Sequence, residues 1–110
     1  MGYIRHDAIV VTALDEKYLK PALRKAQALA LPVSGIVPGT TNGYCSFLIA
    51  PDGSKEGWGE SDRCDEARKA WMDWAETAYK DGVYLEWAHL TMAGDEHSDT
   101  RIVRQAGREE

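Results

Sequence analysis

The stretch Asp7-Ala8-Ile9-Val10-Val11-Thr12-Ala13-Leu14 is short, β-branched and almost continuously apolar, and Asp15 follows it at once. A run of that length and composition reads as a central strand. An aspartate at its exit is a helix N-cap, because its carboxylate accepts from the first free backbone N–H groups. Beyond it Leu19, Ala22, Leu23, Ala26, Leu29 and Ala30 recur at steps of three and four and share one helical face. Lys17, Lys20, Arg24, Lys25 and Gln27 fall mostly on the other. Pro21 has no backbone N–H, so the helix is predicted to start near it or to kink there. Pro32 closes the segment.

The rest of the chain repeats this logic. Residues 33–37 read as a short strand, and the turn formers of 38–43 as a loop. Residues 44–50 read as a long strand, with Cys45, Phe47 and Ile49 on the core side and Tyr44, Ser46 and Leu48 on the other. Pro51-Asp52-Gly53-Ser54 is a turn, with a short return strand expected through Lys55 and Glu56. A second helix is expected from a cap at Ser61 or Asp62 to about Lys80, with Cys64, Ala67, Trp71, Trp74, Ala75 and Ala78 as its apolar stripe. Asp81-Gly82 is its stop, glycine taking the left-handed position. Residues 83–93 are the last long strand, with Trp87, His89 and Thr91 opposed to Glu86, Ala88, Leu90 and Met92. A polar loop, 94–99, leads to a further hairpin strand at 100–104, and 107–110 read as a frayed tail.

The element order is therefore β-α-β-β-α-β. It predicts an α+β sandwich of the split βαβ (ferredoxin-like) type, with two helices on one face of an antiparallel sheet and an extra C-terminal hairpin strand. At 110 residues, 1–110 is one domain. The hydrophobic share is 44% and the charged share 28%, as in ordinary globular domains. No apolar run approaches the ~20 residues of a membrane span, and the opening Met1–His6 lacks a signal peptide's apolar stretch. The net charge of −5 argues against a phosphate-binding footprint, which needs clustered Lys and Arg. Cys45 and Cys64 permit one disulfide, but two free thiols and a cytoplasmic location are expected.

Candidate chemistry is sparse. His6 and Asp7 are neighbours on a strand, so they point to opposite faces and do not pair. Cys64, near a helix N-terminus, invites a lowered thiol pKa, though it also continues the apolar stripe. His89, His97, Asp95, Glu96 and Asp99 are the one His/acid grouping, without calcium-loop spacing, so no metal and no cofactor is expected. Gly43-Tyr44-Cys45-Ser46-Phe47 looks superficially like the base-stacking strand of RNA-recognition motifs. Its second stacking place, however, is Ser46, and the first strand carries no aromatic, so nucleic acid is not the expected partner. Ser54, Lys55 and Trp58 share a loop before a helix N-terminus and form the candidate ligand site, an anion being the expected occupant. Tyr44, Leu48, Trp58 and Trp87 are the candidate interface, since a split βαβ sheet leaves one face without helices.

His6-Asp7-Ala8-Ile9-Val10-Val11-Thr12, Asn42-Gly43-Tyr44-Cys45-Ser46-Phe47 and, most specifically, Pro51-Asp52-Gly53-Ser54-Lys55-Glu56-Gly57-Trp58 with Ser61-Asp62 carry a resemblance. The chain resembles a family of small, mycobacteriophage-like actinobacteriophage proteins of unknown function, over most of its length. The resemblance implies a phage-encoded accessory protein made in a bacterial cytoplasm, and carries over no catalytic residue. The expected function is a non-enzymatic interaction module that binds a host or phage protein, with a homodimer as one form. The alternative is a small-ligand or nucleotide binder that soaks up a host-defence signal.

Overall fold

The computed structural model describes residues 5–55, 57–93 and 100–106. Glu56, the 94–99 loop with His97, Asp95, Glu96 and Asp99, and the 107–110 tail lie outside them. Among the described residues the chain is α+β, with one five-stranded antiparallel sheet and two α-helices. The elements are β1 (Arg5–Ala13), α1 (Glu16–Ala28), β2 (Val37–Pro38), β3 (Cys45–Ile49), α2 (Gly59–Thr77), β4 (Glu86–Ala93) and β5 (Arg101–Gln105). The strand order is β2-β3-β1-β4-β5, and the expected C-terminal hairpin strand is present as β5.

Asp15 caps α1 as expected, its carboxylate accepting from the Lys17 N–H at 2.9 Å. The helix neither starts at Pro21 nor stops there; it begins at Glu16 and runs through the proline. Leu19, Ala22 and Ala26 carry its buried face. The α2 cap differs from expectation. The helix starts at Gly59 behind Trp58, without a side-chain cap, so Ser61 and Asp62 lie inside the first turn. It ends at Thr77 and tightens into a 3-10 turn over Ala78–Asp81, with Gly82 left-handed at φ 81°.

The 33–37 strand is mostly irregular. Only Val33 bridges Ile49, and β2 itself is Val37–Pro38, an edge pair whose proline offers no donor to a further strand. Lys55 joins no strand, and β4 begins at Glu86 rather than at 83.

One core joins both helices to one sheet face. Ile9, Val11, Ala13, Cys45, Phe47, Ile49 and Trp87 supply the sheet side, and Leu19, Ala22, Ala26, Ala67, Trp71, Met72 and Ala75 the helices. Trp71, fully buried, lies edge-on to Trp87 at 5.9 Å and donates its indole N–H to the Ala22 carbonyl at 3.0 Å. That bond ties α2 to α1 inside the core. A register shift between His89 and Leu90 lets β5 place Arg104 opposite His89 and Ile102 opposite Leu90. Arg104 then reaches Glu76 at 2.7 Å and Asp73 at 3.1 Å, which clamps β5 to α2.

Among the described residues the opposite sheet face carries no helix. Leu48 pairs with Val10, Val10 with Ala88, Ala8 with Leu90, and Leu90 with Ile102. These pairs form an apolar row across four strands, with Val10, Leu48 and Ile102 exposed. Thr12 and Ser46 share a hydroxyl–hydroxyl hydrogen bond of 2.8 Å beside it.

Candidate functional site

The 52–58 loop is organised by Asp52. Its Oδ2 accepts the Ser54 N–H at 3.2 Å and also the Ser54 hydroxyl, an Asx-type turn that Gly53 permits at φ 81°. Ser54 is consequently buried, and its hydroxyl is engaged by a carboxylate. Lys55 holds its ammonium over the Trp58 ring, 5.8 Å from the centroid, and Trp58 is exposed. The fold thus brings Lys55 and Trp58 together and turns the Ser54 hydroxyl inward, onto Asp52.

Of the four interface residues, Tyr44, Leu48 and Trp58 are exposed. Trp87 is not; at 5% exposure it belongs to the core. Strand parity is the reason. Trp87 lies opposite Val11, whose side chain faces the helices, so the tryptophan must face them too.

A buried charge cluster sits where α2 crosses the β1/β4 pair. Register places Asp7 opposite Thr91 and Ile9 opposite His89, so Asp7 and His89 are diagonal neighbours on the helix-covered face. Asp7 Oδ1 lies 3.0 Å from His89 Nε2, and Oδ2 lies 3.6 Å from Arg5 and 3.9 Å from Arg68. Arg68, 3% exposed, donates to Asp52 Oδ1 at 3.0 Å and to Asp65 Oδ1 at 2.6 Å. A guanidinium removed from water needs such carboxylates, because each unpaired ion in a low-dielectric interior costs several kcal/mol, on the order of 3–5 when one partner is deleted.

The electrostatics follow. Burial by itself pushes the Asp7 carboxyl up, but the His89 hydrogen bond and the charges of Arg68 and Arg5 outweigh it and hold Asp7 below its ordinary value. Asp52 is likewise held down against burial, by Ser54 and Arg68. Arg68 is held up by Asp52, Asp65 and Asp7 despite its burial. Two buried atoms of the same patch, His89 Nδ1 and Thr91 Oγ1, have no hydrogen-bond partner among the described residues.

Cys64 lies one helical turn before Arg68 and is fully buried. Its thiol is pushed up, by burial first, then by the Asp52 charge and the bond to Glu60, so the expectation of a lowered pKa fails. Burial of the thiol, with Asp52 in the preceding loop and Glu60 in the first turn, outweighs any dipole effect. Cys64 Sγ contacts Glu60 and Arg63, and Ser54 donates to Asp52; neither contacts His89. Both cysteines are free. Among the described residues no group of three or more His, Cys, Asp or Glu is arranged to hold a metal, and no helix is long and apolar enough to cross a membrane.

Sequence reading missed Arg68, although the signal was present. Arg68 is four residues after Cys64 and three before Trp71, within the buried stripe. Asp7 shares parity with Ile9 and Val11, which already placed it on the core face. No protein-family model, no curated protein and no solved structure matches this chain.

Proposed function

We propose that this chain is a non-enzymatic interaction module, a phage accessory protein acting in a bacterial cytoplasm on a host or phage protein. The observation that carries the reading is the apolar row Leu48–Val10–Ala88 and Ala8–Leu90–Ile102 on a sheet face without helices. A contiguous apolar strip that runs across several strands is the kind of surface a partner covers. Tyr44 and Trp58 add exposed aromatics of the type that anchor interfaces. A second copy of the chain is one partner such a face accepts, since a self-complementary strip suits two-fold pairing. The finer fold reading goes with this: β2-β3-β1-β4 taken as a split βαβ core that β5 extends at the β4 edge.

The test is capture from bacterial extract with the tagged chain, read by mass spectrometry, alongside sedimentation of the chain alone. A stoichiometric partner, or a concentration-dependent dimer, is the expected result. A chain that stays monomeric and retains no protein in stoichiometric amount overturns the reading.

A further inference from the structure

The end of the sheet opposite the buried charge cluster holds a cleft of about 380 Å³. That is within the span of small-ligand sites, roughly 300–1,000 Å³. It lies between the C-terminal end of α2 and the start of β4, and three tyrosines line it: Tyr44, Tyr79 and Tyr84, all exposed. The charged residues in its wall are Glu76 and Glu86, with no Lys, Arg or His among them. Glu76 is already paired to Arg104. The Glu86 carboxylate is exposed and makes no ion pair or hydrogen bond with the described residues.

We propose that this cleft binds a small organic cation with an apolar body, such as an aromatic quaternary ammonium compound. A tyrosine ring presents a negative face that attracts a cation within about 6 Å of its centre. The chain already shows this contact elsewhere, with Lys17 over Tyr18 and Lys55 over Trp58, and at the cleft's own wall, where Arg104 lies over Trp87. An unpaired carboxylate among tyrosines disfavours anions and leaves a neutral ligand without its main source of attraction. The cleft shares Tyr44 with the proposed interface, but this inference does not depend on any protein partner.

The experiment is a titration of the whole chain with benzyltrimethylammonium chloride, followed by NMR shifts of the tyrosine rings. Benzyl alcohol and benzoate serve as neutral and anionic probes with the same ring. Saturable shifts with the ammonium probe are expected, with the neutral probe weaker and the anion weakest. Glu86→Gln and Tyr79→Ala, both at exposed positions, are each expected to weaken the ammonium probe by roughly 2- to 5-fold. The proposal is overturned if the ammonium probe gives no saturable shift, if benzyl alcohol binds as well as it does, or if both variants bind it unchanged.

Discussion

Val10 and Val11 are the same residue type, adjacent on one strand, yet Val11 is 0% exposed and Val10 40%. The two sheet faces differ in what covers them rather than in what they are made of. One face is sealed by α1 and α2 over a tryptophan-centred core and a buried charge cluster. The other presents Val10, Leu48 and Ile102 to solvent without a helix above them. Apolar character on the first face is explained by folding. On the second it adds little to folding, and the proposed recognition role rests on that surplus.

The sharpest way to break this contrast is one charge placed on either face. Val11→Asp buries a carboxylate among Ile9, Phe47 and Trp71, and is expected to cost more than about 4 kcal/mol, enough to unfold much of the protein in a urea titration. Arg68→Met is next. It takes the guanidinium away from Asp52, which keeps only Ser54 among the described residues, and from Asp7, which keeps His89 and Arg5, and a loss of about 3 kcal/mol is expected. A double-mutant cycle with Asp52→Asn should recover part of it, because neutralising the stranded carboxylate removes its penalty.

Acid separates the faces in a graded way. Asp7 and Asp52 are held below the ordinary aspartate value of 3.8, so the unfolded chain binds more protons than the folded one as pH drops through that value. Their stabilisation is complete well above pH 3.8 and is lost as pH falls through and below it. Denaturant midpoints recorded down that pH series should fall, and Asp52→Asn should make the fall shallower. A smaller effect of opposite sign is expected for Thr91→Val, which removes a buried hydroxyl without a partner; a gain of about 1 kcal/mol in thermal unfolding is anticipated.

The faces were not equally legible in the sequence. Alternation along β3 announced Cys45, Phe47 and Ile49 as core residues, and the Asp15 cap and the Gly82 stop marked helix ends. Trp87 faces inward because it pairs with Val11, a register that the sequence of β4 alone does not give. Arg68 was overlooked because charge reads as solvent, whereas its place between Cys64 and Trp71 left it no other face. The short β2 was less predictable. The 33–37 segment has strand-like residues, but it meets the sheet through one bridge at Val33, and the paired residues shift to Val37 and Pro38. Nor does local sequence reveal that α2 begins behind Trp58, since no side chain caps it. The tyrosine cleft joins residues from four separate segments, and no motif encodes such a meeting.

The most direct measurement compares the wild-type chain with Val10→Asp/Leu48→Asp, first in thermal unfolding and then in capture from bacterial extract or sedimentation. Both positions are exposed, so unfolding should change far less than for Val11→Asp, the two facing carboxylates costing about 1 kcal/mol together, while the stoichiometric partner or the dimer disappears. A variant that associates as the wild type does, or that unfolds as readily as Val11→Asp, contradicts the assignment of this face to recognition.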